Sequence, residues 1–430
     1  MTETKSGSPV RDPEFVALAG TAFARSQAYS TILIALALYA DLYGTTGVVE
    51  GLFGTAFAIV QLIIVLPLGR FVDTHDAKRV LLVGLAINVA VFVGFLFVRN
   101  PVHVILVRML QGVGASILWI TGAAVIGEIS EKSAQGRWLG TYNQVGAFSS
   151  FAGDLVGGTL LAVTGFTGTY LLLSAITLLA FVLVYALLRE NPGGRTDPDE
   201  QSGMETLVSL MGRVTVRSLV VFRLAFSVGK MAVILFLPIF ARTRFGIGPL
   251  AIGGILAGGK LTKALLQGKM GELTDAWGHE RHFVLVGALV FAVGTALIPF
   301  AEPAAGAITP VGVALAGHAA TITGPMIVLF AAYGIIGVAD SIRLPASMSL
   351  FVTEGERFDS VASSMSLRSI SWKVGQVAGP VLVGTIKDVV GVAEAFWTAA
   401  GFILVASGLF VGANRAGRDE SADALADPGD

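Results

Sequence analysis

Apolar residues along this chain fall into long blocks separated by short polar breaks. A helix rises 1.5 Å per residue, so about twenty apolar residues cross the hydrocarbon layer of a membrane. The blocks have this length, and those at 80–98 and 171–188 are apolar on every face. A transmembrane barrel would instead alternate in polarity over segments of about ten residues. The pattern therefore predicts an all-α membrane protein.

The number of blocks predicts about twelve transmembrane helices. The first block is too long for a cleaved signal peptide, so we expect it to stay in the protein as a helix. An even number of spans places both termini on one side of the membrane. We place the spans at 15–42, 48–68, 80–98, 103–127, 136–163, 169–188, 217–241, 249–267, 283–300, 325–345, 362–386 and 392–412.

Composition agrees with a membrane protein and excludes several chemistries. Hydrophobic residues are 54% of the chain and charged residues only 14%, more apolar than a soluble core of this size can hide. The chain has no cysteine, which excludes disulfides and thiol chemistry. The net charge of −1 argues against a nucleic-acid partner, and the histidines lack metal-ligand spacing. We therefore expect no cofactor and no metal.

The basic residues predict the orientation and the domain layout. With both termini in the cytoplasm, only Arg99, Arg242, Arg244 and Lys387 lie outside, which is the positive-inside pattern. We expect a multi-pass protein of the plasma membrane with both termini cytoplasmic. The predicted parts are a cytoplasmic segment at 1–14, a six-helix bundle at 15–188, a cytoplasmic linker at 189–216, a second six-helix bundle at 217–413 and an acidic disordered tail at 414–430.

The two predicted bundles repeat each other in sequence. An offset of 202 positions pairs Gly44 with Gly246 and Asp73 with Asp275. Later in the chain the offset grows to 226, because a long loop around 302–324 is present only in the second half. A parallel duplication of six helices is typical of secondary transporters whose halves pivot around a site at mid-membrane depth. We therefore expect two pseudo-symmetric bundles.

The loops at 69–79 and 271–281 are two copies of one pattern of glycine, aspartate and basic residues. They resemble the cytoplasmic loop of the major facilitator superfamily, although Asp76 stands where glycine is usual in the family, and the likeness runs over nearly the whole chain. The resemblance implies a contact that latches the outward-facing state. A glycine there allows close helix approach, and a carboxylate meets basic groups. The expected switch residues are Gly69, Asp73, Lys78, Arg79, Gly271, Asp275, Gly278 and Arg281.

The fourth span contains Arg108 and Gly112 in a stretch similar to the arginine motif that the family associates with proton coupling. A guanidinium stays charged in a membrane protein and needs a partner, for which our candidates are Asp41 and Asp154. The alternative is that Arg108 extends to the nearby membrane interface.

The fifth span resembles the glycine and proline motif of the family's drug and metabolite antiporters, with two departures. Ser149 replaces a glycine, and Asp154 stands where proline is usual, whereas the second half keeps the proline at 380. A carboxyl at this depth can carry a proton, so the coupling candidates are Asp154, Arg108 and Asp41. Asp154 as a static partner of a base or as a substrate ligand stays open. The expected packing residues are Gly112, Gly153, Gly157, Gly158, Gly379, Pro380 and Gly384.

Cations inside the spans suggest a basic cavity for an anionic or zwitterionic substrate. Several of them could instead extend to the interface. Asp340 and Arg343, three residues apart, are interpreted as a structural pair. The cavity candidates are Arg25, Lys230, Lys260, Lys263 and Lys373.

The resemblance implies a secondary active transporter, and we expect proton-coupled export of a small molecule. A proton-coupled uptake symporter for an organic anion is the alternative, and a membrane receptor that does not transport is a third. We do not expect an enzyme, since no nucleophile, base or metal cluster recurs at one depth. The expected partners are a small-molecule substrate, protons or another ion and the lipid bilayer, with the monomer as the functional unit.

Overall fold

The computed structural model describes residues 8–131, 134–190, 204–315, 318–357 and 361–426. A π-helical segment, Ala232–Phe236, joins two helices into one continuous span. The helices are α1 (Pro13–Tyr43), α2 (Gly47–Thr74), α3 (Ala77–Leu96), α4 (Pro101–Ile129), α5 (Gln135–Val163), α6 (Gly165–Leu187), α7 (Met204–Gly212), α8 (Val214–Met231), α9 (Leu237–Phe245), α10 (Pro249–Trp277), α11 (Glu280–Leu297), α12 (Ala301–Ala307), α13 (Gly324–Glu356), α14 (Val361–Val389) and α15 (Val392–Ala426).

Twelve long helical segments account for the predicted spans, with α8 and α9 counted as one. Ten segments of the described chain are long and apolar enough to cross a membrane by length and composition. The other two, α1 and α14, are equally long but carry polar residues such as Arg25 and Gln27 in α1 and Arg368 and Lys373 in α14. The prediction of an all-α membrane protein with about twelve helices is confirmed.

Three segments differ from their prediction. The long loop around 302–324 contains α12 and a hairpin of β1 (Val311–Leu315) and β2 (His318–Ile322). The predicted linker contains α7, and α15 continues to Ala426 through the segment expected to be a disordered tail. The residues after 412 are rich in alanine, the strongest helix former, which explains the continuation. Residues 1–7, 191–203 and 427–430 lie outside the described chain.

The chain forms two compact units. The first comprises Met1–Glu200 and Pro238–Ala257, and the second comprises Gln201–Leu237 and Gly258–Asp430. The predicted boundary at the linker assigned all of 217–413 to the second bundle. The structure instead places 238–257 with the first unit, where α9 and the start of α10 contact α1 and α5.

The packing inside one unit repeats inside the other. In the first unit α1 packs on α5 and α6, and α3 packs on α4 and α6. In the second unit α8 packs on α14 and α15, and α11 packs on α13 and α15. The paired glycines Gly44 and Gly246 both have left-handed backbone, with φ of 55° and 63°. The repeat predicted from the sequence is therefore a structural pseudo-symmetry.

Each unit has its own apolar core. In the first, Trp138 meets Phe15 edge to face at 5.6 Å between ring centroids. In the second, the ring of Phe226 lies 4.8 Å from that of Phe291, and Phe222 lies 5.4 Å from Phe410. These cores fix the rotation of the helices, and so determine which polar side chains point inward.

Candidate ion-coupling and substrate sites

Arg108 is fully buried in α4, so it does not extend to an interface. Its side chain is 1% exposed and donates from Nε to the carbonyl of Phe53 at 2.9 Å and from Nη1 to Oε1 of Gln111 at 2.5 Å. Its guanidinium carbon also lies 4.4 Å from the ring centroid of Phe57. The prediction that Asp41 or Asp154 is the partner of Arg108 is wrong, because a carbonyl and an amide take that place.

Asp41 has a different partner. Its Oδ2 lies 2.8 Å from Nε of Arg242 on α9, within the first unit. The two side chains are 39% and 29% exposed. An ion pair this open to solvent contributes little to stability, typically about 0.2–1 kcal/mol.

Asp154 is completely buried, with 0% exposure, in the part of α5 that packs against α1. The glycines around it permit this packing. A Cβ on Gly153 would stand 2.6 Å from the carbonyl of Gln27, and one on Gly157 would collide with Thr31. Ser149, which replaces a family glycine, donates from Oγ to the carbonyl of Phe23 at 2.6 Å. Close backbone contact therefore surrounds the carboxyl.

The far side of the same stretch of α5 meets the start of α10. A Cβ on Gly158 would stand 2.6 Å from the carbonyl of Pro249, and one on Gly253 would collide with the carbonyl of Asp154. Glycine is required at both positions, because any side chain would separate the two backbones. In α4, Gly112 makes a similar approach to the carbonyl of Phe57, at 2.6 Å.

The second unit repeats this stripe in α14. A Cβ on Gly379 would stand 3.0 Å from Cα of Val228 on α8. Pro380, the counterpart of Asp154, and Gly384 are both buried in the same helix. The sequence offset therefore predicted equivalent positions, but only the first unit has an acid there.

Lys230, near the end of α8, pairs with a carboxylate that we predicted to be the partner of Arg343. Its Nζ forms a short ion pair with Oδ2 of Asp340 on α13. Oδ1 of Asp340 also accepts from Nη2 of Arg343 at 3.2 Å. The predicted pair of Asp340 and Arg343 exists, and Lys230 joins it. Charged groups at this depth normally pair, which is the signal that could have linked Lys230 to Asp340.

Further cations surround this pair and define what we call the cationic cluster. Arg223 donates from Nε to the carbonyl of Arg368 at 2.8 Å, and its charge acts on Arg343 and Asp340. The charge of Lys263 acts on Lys230 and Asp340. The cationic cluster, all within the second unit, consists of Arg223, Lys230, Lys263, Asp340, Arg343 and Arg368.

The remaining cavity candidates lie in three different helices. Arg25 belongs to the first unit, where its guanidinium carbon stacks 4.2 Å from the ring centroid of Trp119. Lys260 on α10 and Lys373 on α14 are half-buried members of the second unit. Of the five predicted candidates, the structure brings Lys230 and Lys263 together.

The first switch loop is organised locally. Asp76 has extended backbone and caps α3 by accepting from the amide of Lys78 at 3.0 Å, so an ordinary N-cap replaces the family's glycine turn. Arg79 lies 3.5 Å from Asp76, and Lys78 lies 5.6 Å from the ring centroid of Tyr185. The side chain of Asp73 lies outside the described part of the chain.

The second switch loop turns at Gly278, whose φ of 60° favours glycine. Arg281 reaches Oε1 of the buried Glu354 at 3.5 Å, and Asp275 is exposed. Within the described chain a Cβ on Gly69 would have no neighbour within 4 Å, and one on Gly271 would have only Pro345, at 3.9 Å.

The fold has been seen in solved transporters. A bacterial homologue of the human lysosomal transporter Spinster has a TM-score of 0.74 at 14% identity, covering 93% of this chain and 96% of that one. The nucleoside transporter NupG has a TM-score of 0.71 at 13% identity, covering 93% and 98%. Twelve helices in two repeated units, with charged groups buried inside them, therefore form the same polytopic α-helical fold as these proteins.

Sequence relatives narrow the class. The Major Facilitator Superfamily model matches residues 18–327, so the chain belongs to this superfamily. It is 25% identical over 393 residues to the multidrug resistance protein MdtG of Dickeya zeae, covering 89% of this chain and 90% of that protein. It is 22% identical over 376 residues to an uncharacterised MFS-type transporter of Methanocaldococcus jannaschii, covering 86% and 90%.

Proposed function

We propose that this transporter exports a small molecule from the cell in exchange for protons, by alternating access. Relatives named as multidrug resistance proteins support the export direction. The excess of basic residues in the segments assigned to the cytoplasm supports a plasma-membrane protein with both termini inside. The functional unit in this proposal is the monomer, since each chain contains both repeated halves.

The buried carboxyl of Asp154 is the observation that carries the proton coupling. It has no exposure to solvent, and it lies in a helix apolar enough to span a membrane. A buried carboxylate inside a membrane is costly, and protonation removes its charge. In this proposal Asp154 takes up a proton in one state of the transport cycle and releases it in the other.

The glycine contacts provide a way to change those surroundings. The backbone of α5 touches the start of α10 through Gly158 and Gly253, one turn or less from the carboxyl. When this contact opens, water reaches Asp154 and the carboxylate form becomes favourable. When it closes, the protonated form is favoured, so protonation and helix packing are linked.

Arg108 and Asp41 take secondary roles in this proposal. Arg108 is satisfied by the carbonyl of Phe53 and by Gln111, so it braces α4 against α2. Asp41 is paired with Arg242 near solvent, so a basic partner already balances its charge. Asp154 is therefore the first candidate for the proton carrier.

Proteoliposomes with an imposed pH gradient test the proposal. We would screen labelled organic cations, anions and zwitterions for accumulation against their gradient. Antiport accumulates substrate when the lumen is acidic, whereas the alternative uptake symport of an organic anion requires acid outside. A receptor that does not transport accumulates nothing under either gradient.

Asp154→Asn isolates the coupling step, because the neutral amide imitates the protonated acid. We expect it to abolish accumulation driven by the pH gradient while leaving substrate exchange without a gradient largely working. Asp388→Asn, which removes an exposed carboxyl at the end of α14, is the matched control and should behave as the wild type. Unchanged accumulation by Asp154→Asn would refute the assignment of the coupling site.

A further inference from the structure

The cationic cluster has far more positive than negative charge. It contains five cations, and Asp340 is its one carboxylate, so its formal charge is +4 when every group is ionised. Asp340 is 7% exposed and Arg343 is 1% exposed, so solvent screens this central pair little, while Lys263 and Arg368 are half-buried. Buried charges are stable when they are paired, and a single internal carboxylate cannot pair with all of these cations.

Arg343 has donors that the surrounding residues do not use. Its Nη2 binds Asp340, but its Nε and Nη1 are buried with no hydrogen-bond partner among the residues that the structure describes. Nε of Arg368 is likewise buried with no hydrogen-bond partner among the described residues. Buried guanidinium donors rarely stay unsatisfied, so these donors indicate an acceptor that arrives from outside the chain.

Aromatic rings lie beside the same cations. Arg343 stacks 3.8 Å from the ring centroid of Phe226, and Nζ of Lys230 lies 5.6 Å from Phe291 and 5.9 Å from Trp372. Phe226 and Phe291 belong to the core described above, whereas the half-buried ring of Trp372 offers contact to an apolar body attached to an acidic group. The π-helical segment Ala232–Phe236 begins two residues after Lys230, and such segments are frequent at functional sites.

We infer that the cationic cluster binds the acidic group of an organic anion with an aromatic or other apolar body, between Lys230 and Arg343 and in competition with Asp340. Asp340 acts as an internal counter-ion that occupies Lys230 and Arg343 when the site is empty. That this anion is the cargo, rather than only a ligand, rests on the proposed function. If the protein were a receptor that does not transport, the same site would bind the anion without moving it.

Because the anion competes with Asp340, removing a cation and removing the carboxylate should change the affinity for the anion in opposite directions. Removing a cation should weaken anion binding, as it would at any basic surface. Removing the carboxylate, in contrast, should strengthen it, because a like charge beside the bound anion disappears and the two cations become available. A cluster that only stabilises the fold would not tighten its binding of any ligand when Asp340 is neutralised.

The test compares two probes of matched size, labelled 2-naphthoate and its neutral amide 2-naphthamide, by equilibrium dialysis against the purified full-length protein. We expect the wild type to prefer naphthoate by about tenfold or more, the effect of a charge-assisted hydrogen bond. Arg343→Gln and Lys230→Gln should lose about tenfold in naphthoate affinity with naphthamide unchanged, and Asp340→Asn should gain several-fold. Lys269→Gln, at an exposed position of α10, is the matched control.

Equal binding of the two probes by the wild type, including binding of neither, would overturn the inference. Weaker naphthoate binding by a folded Asp340→Asn would overturn it as well. If gel filtration shows that Arg343→Gln does not fold, Lys230→Gln and Asp340→Asn decide. Selective binding of naphthoate without any pH-driven transport would refute the proposed function alone, whereas proton-driven transport without a preference for anions would refute this inference alone.

Discussion

Gly158→Ala should shift the protein away from the conformation in which α5 touches the start of α10. The new Cβ would stand 2.6 Å from the carbonyl oxygen of Pro249 and 3.2 Å from Cα of Gly253. Both neighbours are backbone, which cannot rotate away as a side chain can. The helices must separate by roughly half an ångström or more to regain ordinary van der Waals contact.

The expected magnitude follows from the cost of overpacking. Inserting a methyl group into a closely packed site costs about 1–3 kcal/mol. If this cost falls on the conformation with the contact closed and not on the one with it open, the ratio of the two conformations changes about 5- to 150-fold. We expect the closed contact to lose population by that factor, and exchange of substrate to slow because one step of the cycle becomes less accessible.

Paired spin labels can measure the change. The chain has no cysteine, so Leu155→Cys and Leu250→Cys, both exposed, accept labels on α5 and α10 without a background. The distance distribution should shift to larger values in Gly158→Ala. Gly140→Ala, on the same helix with no atom of the described chain within 4 Å of its Cβ position, should leave it unchanged. Identical distributions in all three proteins would refute the argument that this contact is tight.

Two further predictions follow from the ion pairs. Asp41→Asn should lower the free energy of unfolding by less than about 1 kcal/mol, because the pair of Asp41 with Arg242 is half open to solvent. The variant should also keep proton-driven accumulation, and loss of coupling in it would make Asp41 the proton carrier. Glu354→Gln should lower the free energy of unfolding by about 1–3 kcal/mol, because the buried carboxylate of Glu354 contacts Thr215, Arg281 and Arg357 at 3.3–3.5 Å. The exposed neighbour, as Glu356→Gln, should leave the melting temperature unchanged, and equal melting of both variants would contradict this reading.

The sequence predicted the helices well because length and polarity alone determine a membrane span. The repeat was also readable, since Gly44 and Gly246 occupy the same left-handed turn at the end of equivalent helices. The helix after 412 was missed because acidic composition suggested disorder, although alanine there favours a helix. Composition therefore predicted the membrane spans better than it predicted the structure of the polar segment after 412.

Ion-pair partners were the least predictable feature, because a sequence gives the depth of a residue in a helix but not the neighbour that faces it. Arg108 was expected to meet a carboxylate and instead binds the carbonyl of Phe53, a group every residue carries. The pairing of Asp340 with Arg343 was visible at a spacing of three residues. The approach of Lys230 from α8 to Asp340 required the packing of the second unit.

With one proton and one organic anion moved in each cycle, the two proposals give export and uptake different net charges. Antiport of one proton against one organic monoanion moves two charges in the same electrical sense, whereas symport of the same pair moves none. Each charge is worth about 2.3 kcal/mol per 100 mV, so antiport gains about 4.6 kcal/mol per 100 mV.

A potassium diffusion potential, positive in the lumen, should therefore drive naphthoate into proteoliposomes even without a pH gradient. Neutralising Asp154 as Asp154→Asn should leave one moving charge and reduce this drive by half. Protein-free liposomes are the control for leakage of the neutral acid. Accumulation that is indifferent to the potential but driven by acid outside would replace export with the uptake symport of an organic anion.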